Sequence, residues 1–61
     1  MNPEVYPYRV VEIYEEAQKE VIIYFETSDA AEAYRDRSHY PEGRNMSWVE
    51  SWNDLSFRWQ M

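Results

Sequence analysis

The chain reads as a small α+β domain, an antiparallel sheet in ββαββ order with one helix packed on one face. Three observations predict it: two β-branched, aromatic runs separated by a short polar stretch; a hydroxyl-and-acid start followed by an alanine-rich segment; and a tail in which aromatic residues alternate with polar ones. The first run is Tyr8–Glu15 and the second Val21–Glu26, both rich in Val, Ile and Tyr, which suit a pleated, half-buried surface. Between them Glu16, Ala17, Gln18, Lys19 and Glu20 make a connection short enough for a hairpin. Pairing positions that sum to 35 sets Glu16 opposite Lys19, Arg9 opposite Glu26 and Val10 opposite Phe25, with Glu15 and Glu20 in a like-charge opposition at the turn. One face then carries Tyr8, Val10, Glu12, Tyr14, Val21, Ile23 and Phe25, and the other Arg9, Val11, Ile13, Ile22, Tyr24 and Glu26. Both are largely apolar, so each needs a cover.

Thr27, Ser28 and Asp29 supply a helix start, a hydroxyl for free N–H groups and an acid for the dipole. Ala30 to Arg35 favour helix, with Ala30, Ala33, Tyr34 and Arg37 expected on the buried stripe and Asp29, Glu32 and Asp36 opposite. The stretch Phe25–Tyr34 resembles a strand-to-capped-helix junction common in small α+β domains. Arg35, Arg37 and His39 suit a helix C-terminus, which makes His39 a capping residue rather than a catalytic one. Pro41 ends the helix, and Tyr40-Pro41-Glu42-Gly43 fits a type I turn.

The tail, Met46–Met61, supports two readings. As a hairpin turning at Asn53-Asp54 it puts Trp48, Trp52, Leu55, Phe57 and Trp59 on one face with Glu50, and Val49, Ser51, Ser56 and Arg58 on the other. As a helix it opens on the capping box Ser47-Trp48-Val49-Glu50. The hairpin is preferred, because alternation persists through Trp59 while Asn-Asp interrupts a helix. Its aromatic stripe is expected to pack into the core, and the hairpin itself, or another copy of the chain, to cover the second sheet face.

With 61 residues, residues 1–61 form one small acidic domain, and no stretch suits a membrane span. Met1–Val10 lacks the basic start and apolar run of a secretory signal, so a cytoplasmic location is expected. Without Cys and with one His, thiolate chemistry, a Cys-ligated zinc and a charge-relay triad lack their parts. Gly43 is the sole glycine, so no glycine loop can cradle a phosphate, and Asn45-Met46-Ser47 is read as a chance match to a glycosylation sequon. Adjacent Glu15 and Glu16 point to opposite sides of a strand and make no catalytic pair. The expectation is a protein that is no enzyme and has no cofactor and no metal.

Charge is lopsided. Residues 1–36 hold nine acids and three bases, residues 37–61 three of each, so the net charge of −6 lies in the first part. Glu12, Glu15, Glu16, Glu20, Glu26, Asp29 and Glu32 have only Lys19 among them. Such a field repels nucleic acid and anionic membranes and attracts a cationic protein surface. Tyr14 and Tyr24, interleaved with these acids, can face both an apolar patch and water. In size and charge balance the chain resembles phage-encoded host-takeover and anti-defence proteins, DNA mimics among them, and that resemblance implies acids standing in for phosphates. The function expected is a small non-enzymatic inhibitor or regulator occupying a basic, nucleic-acid-binding kind of surface on a partner protein. Glu12, Glu15, Glu16, Glu20, Glu26, Asp29, Glu32, Tyr14 and Tyr24 would carry the contact, in the cytoplasm of a host cell if the protein is phage-encoded. The alternative is an interaction module, a homodimer or a subunit of an assembly, in which the aromatics carry the contact.

Overall fold

A computed structural model describes residues 2–37 and 43–61. Strands β1 (Tyr8–Tyr14) and β2 (Lys19–Phe25) precede helix α1 (Ser28–Arg35), and strands β3 (Met46–Asn53) and β4 (Arg58–Gln60) follow it. All pairings are antiparallel, in the order β2-β1-β3-β4. The expected α+β class and ββαββ order are what the chain adopts, and the expected turn at Tyr40–Gly43 and the role of His39 fall largely outside the described residues.

The β1–β2 register differs from the expected one by two residues. Tyr8 faces Phe25, Val10 faces Ile23 and Tyr14 faces Lys19, so paired positions sum to 33. The reason is the turn, which takes four residues, Glu15 to Gln18; the Gln18 N–H donates to the Glu15 carbonyl at 3.1 Å and Gln18 sits in the left-handed region at φ 52°. Glu20 thereby faces Ile13 rather than Glu15, and the like-charge opposition disappears. A shift of two preserves which side chains share a face.

Thr27 caps α1, its Oγ1 accepting from the Ala30 N–H at 3.1 Å. The inward stripe is Ala31, fully buried, with Tyr34 and Arg35 partly covered, while Ala30 and Ala33 are exposed. The helix is thus turned about one residue from the expected stripe. Tyr34 meeting Phe25 at a tilt of 45°, with ring centroids 5.3 Å apart, is one contact that fits this rotation. Val10 and Glu12 are buried on the helix face of the sheet, with Ala31 of the helix.

The tail is the preferred hairpin, but its turn is displaced. Asn53 pairs with Arg58 and the loop is Asp54 to Phe57, because the Asn53 Oδ1 accepts from the N–H groups of Leu55 at 2.9 Å and Ser56 at 3.0 Å and so closes the hairpin instead of occupying its centre. Leu55 and Phe57 therefore sit in the loop, 93% and 79% exposed, and not in a core stripe. Phe57 adopts φ 52°, a conformation that costs an L side chain energy. The hairpin also does not stack over the sheet. It extends it: β3 pairs along the free side of β1, and no element among the described residues is stacked on the second face.

Candidate functional site

Two sites follow from this geometry, one on each face. On the helix face Glu12 is 1% exposed in a strand whose sequence neighbours are Val11 and Ile13. A buried charge requires partners. Its Oε2 lies 3.0 Å from a guanidinium nitrogen of Arg37 and 3.0 Å from one of Arg44, and its Oε1 accepts from the Tyr14 hydroxyl at 3.1 Å. Arg37 also donates to the Tyr34 carbonyl at 2.6 Å and lies over the Tyr34 ring, 4.0 Å from its centroid, while Arg44 donates to the Arg35 carbonyl at 3.2 Å. One carboxylate thus ties the sheet to the last turn of the helix and to the segment entering β3. Burial alone would raise the Glu12 carboxyl pKa, but the hydrogen bonds from Arg44, Tyr14 and Arg37 outweigh it and hold the group below the usual carboxylate value. Burial, and then the adjacent Glu12 carboxylate, push the Tyr14 phenol up.

On the opposite, open face Arg9 and Glu50 stand directly across from each other on β1 and β3 and meet at 2.6 Å. The Trp48 indole N–H donates to the second Glu50 oxygen at 2.9 Å. Trp59 reaches back over this pair, 4.4 Å from the Arg9 guanidinium to its ring centroid, with Trp52 at 5.5 Å and Tyr24 at 5.7 Å. Among the described residues no second layer lies above this face, and its own aromatic side chains, tilted 59° and 64° to one another, cover it while staying partly exposed.

The acids singled out by sequence divide into three sets. Glu12 is interior and cannot meet a partner, because its carboxylate is enclosed by two arginines and a phenol. Glu15 and Glu16, in the β1–β2 turn, and Glu20, at the start of β2, are exposed together at one end of that strand. Glu26, just past β2, and Asp29 and Glu32, on the helix, are exposed toward its other end. Among the described residues Glu15, Glu16, Glu20, Glu26 and Asp29 form no ion pair, and Glu32 has only a long one, 3.7 Å, to Arg35. Tyr14 has its hydroxyl committed to Glu12 and its ring under Lys19, 5.0 Å away; Tyr24 belongs to the open face.

Sequence reasoning missed the roles of Arg37 and Arg44. The signal that could have found them was a lone acid, Glu12, on a face otherwise built from Val10, Tyr14, Ile23 and Phe25.

The concavities among the described residues include a groove of about 630 Å³ that runs by Asn45, Met46, Ser47, Trp48, Glu50 and Met61, and a polar pocket of about 380 Å³ that lies between Arg35, Asp36, Arg44, Asn45, Met46 and Ser47. Neither assembles a nucleophile beside a base. No group of three His, Cys, Asp or Glu that could hold a metal occurs among the described residues, and no helix there is long and apolar enough to cross a membrane. A scan against protein-family models, a search of curated proteins and a search of solved structures each found no match to the chain.

Proposed function

We propose that this protein is a small non-enzymatic binding protein, an inhibitor or regulator that docks its acidic side on the basic surface of a partner protein. One observation carries the reading: four of the five arginines are taken up by carboxylates, while Glu15, Glu16, Glu20, Glu26 and Asp29 are exposed and form no ion pair among the described residues. Arg9 is taken by Glu50, Arg37 and Arg44 by Glu12, and Arg35 by Asp36 at 2.7 Å. The field felt outside is therefore set by Glu15, Glu16, Glu20, Glu26, Asp29 and Glu32, with Lys19 the sole base in that part of the chain. Such a field steers a cationic partner and suppresses anionic ones.

The two acidic groups flank β2 at its ends, about 20 Å apart at ~3.3 Å per residue. That spacing supports two separate cationic contacts on the partner better than one unbroken row of phosphate equivalents. The half-buried aromatic face beside them, to which β2 contributes Tyr24, supplies area that can be desolvated once steering has brought the partner in. The test is affinity capture with the intact protein and with the E15K/E16K/E20K variant, washed at low and at high salt. A partner retained at low salt, released by salt and absent from the reversed variant supports the reading. Retention indifferent to both overturns it.

A further inference from the structure

The edge of the sheet at β2 is the feature that names a partner's shape. The backbone groups of successive residues in an antiparallel strand point alternately to its two neighbours. The Trp52 N–H donates to the Pro7 carbonyl, so odd positions entering β1 face β3 and even positions face β2. Positions 19, 21, 23 and 25 of β2, which pair with even positions of β1, therefore face inward. The N–H and C=O groups of Glu20, Ile22 and Tyr24 face outward, on a strand with β1 as its one neighbour. The other side offers less: β4 has three residues, carries Arg58 and pairs with Ser51–Asn53 alone, so beyond it β3 turns outward only the backbone groups of Ser47 and Val49. By contrast β2 runs seven residues, without proline or a positive φ, through the apolar stretch Val21–Phe25. Such an edge is a template for one more strand.

Charge selects the strand. Glu20 opens the apolar stretch and Glu26 closes it, each with further acids beside it. A second copy of this chain fits poorly. Ladder alternation requires even positions of β2 to oppose even positions of the copy. The antiparallel register centred on Ile23 then sets Glu20 against the copy's Glu26 twice, and the one centred on Ile22 brings each acidic turn alongside the copy's Glu26 and helix start. We infer that β2 accepts an extended segment of a basic partner as a fifth strand, with apolar or β-branched residues along Val21–Phe25 and Lys or Arg at both ends. This inference rests on the basic-partner reading above and adds the mode of binding.

The probe is the synthetic peptide Lys-Lys-Val-Thr-Val-Thr-Val-Lys-Lys, whose inner lysines are six residues apart, as are Glu20 and Glu26. In either strand direction it presents a cationic pair to each acidic end. Amide hydrogen exchange of the full chain is followed by NMR with and without peptide. The expected result is slowing of the Glu20, Ile22 and Tyr24 amides by about tenfold or more at saturating peptide, as outward donors gain acceptors. A peptide with Glu in place of every Lys does not protect them, and the E20K/E26K variant reverses the preference between the two peptides. Binding of the basic peptide without protection of those three amides overturns strand addition and leaves the basic-partner reading standing. Failure of the basic peptide to bind, or equal binding of the acidic one, overturns the inference too. So does protection of the same amides in free protein that grows with protein concentration, which would place a second copy on the edge.

Discussion

Replacing Glu12 by Gln keeps the side chain's shape and removes its charge, leaving Arg37 and Arg44 facing a neutral amide. Removing one partner of a fully buried ion pair costs about 3–5 kcal/mol. The two arginine side chains are 26% and 12% exposed, so each recovers part of its hydration and the cost falls at the lower end, about 3 kcal/mol. A chain of this length has about 3–9 kcal/mol of stability in all, at ~0.05–0.15 kcal/mol per residue. The substitution therefore takes a third or more of what holds the fold together. Urea unfolding followed by tryptophan fluorescence measures it: with a slope of about 1 kcal/mol/M, the midpoint drops by about 3 M. Glu32→Gln is the control, since its 3.7 Å pair with Arg35 is exposed and its loss costs under about 0.5 kcal/mol. A Glu12→Gln protein within about 1 kcal/mol of the parent would refute the assignment of the carboxylate as the tie between sheet, helix and β3.

The same carboxylate predicts acid sensitivity. Its folded-state pKa is depressed, so its contribution is complete above the ordinary carboxylate range and is lost as pH falls through the depressed value. Urea midpoints measured from pH 7 down to pH 3 fall more steeply for the parent than for Glu12→Gln; parallel curves would remove Glu12 as the cause. At the β3–β4 loop, Phe57→Gly relieves a left-handed aromatic that is 79% exposed and raises stability by about 0.5–1 kcal/mol, after the larger chain entropy of glycine is subtracted. A loss of stability in thermal melts would mean that the Phe57 ring packs on the fold.

The elements were legible because local chemistry and tertiary role agree in them: β-branched runs became strands, Thr27 capped the helix, and aromatic alternation marked the tail as a hairpin. Faces were legible even where register was not, since an error of two residues keeps side-chain parity. The turns were not. Gln18 and Phe57 take left-handed conformations that glycine or asparagine would have announced, and Leu55-Ser56-Phe57 imitates the alternation of a strand while forming a loop. Glu12 read as one more surface acid because its partners lie 25 and 32 residues away, beyond any local pattern. Nor does alternation within Met46–Asn53 distinguish a strand added beside β1 from one stacked above it, which is why the open face emerged only with the topology.

The claim on which the functional reading stands is that outward acids at the two ends of β2 provide the attraction for a partner. Its most direct measurement is the equilibrium affinity for the captured partner as a function of salt, for the parent and for E15K/E16K/E20K. The prediction is a fall of about tenfold or more between 50 and 300 mM salt, over which the Debye length shrinks from about 14 to 6 Å, and no measurable binding by the variant. Affinity that is flat across that range and unchanged in the variant would contradict it.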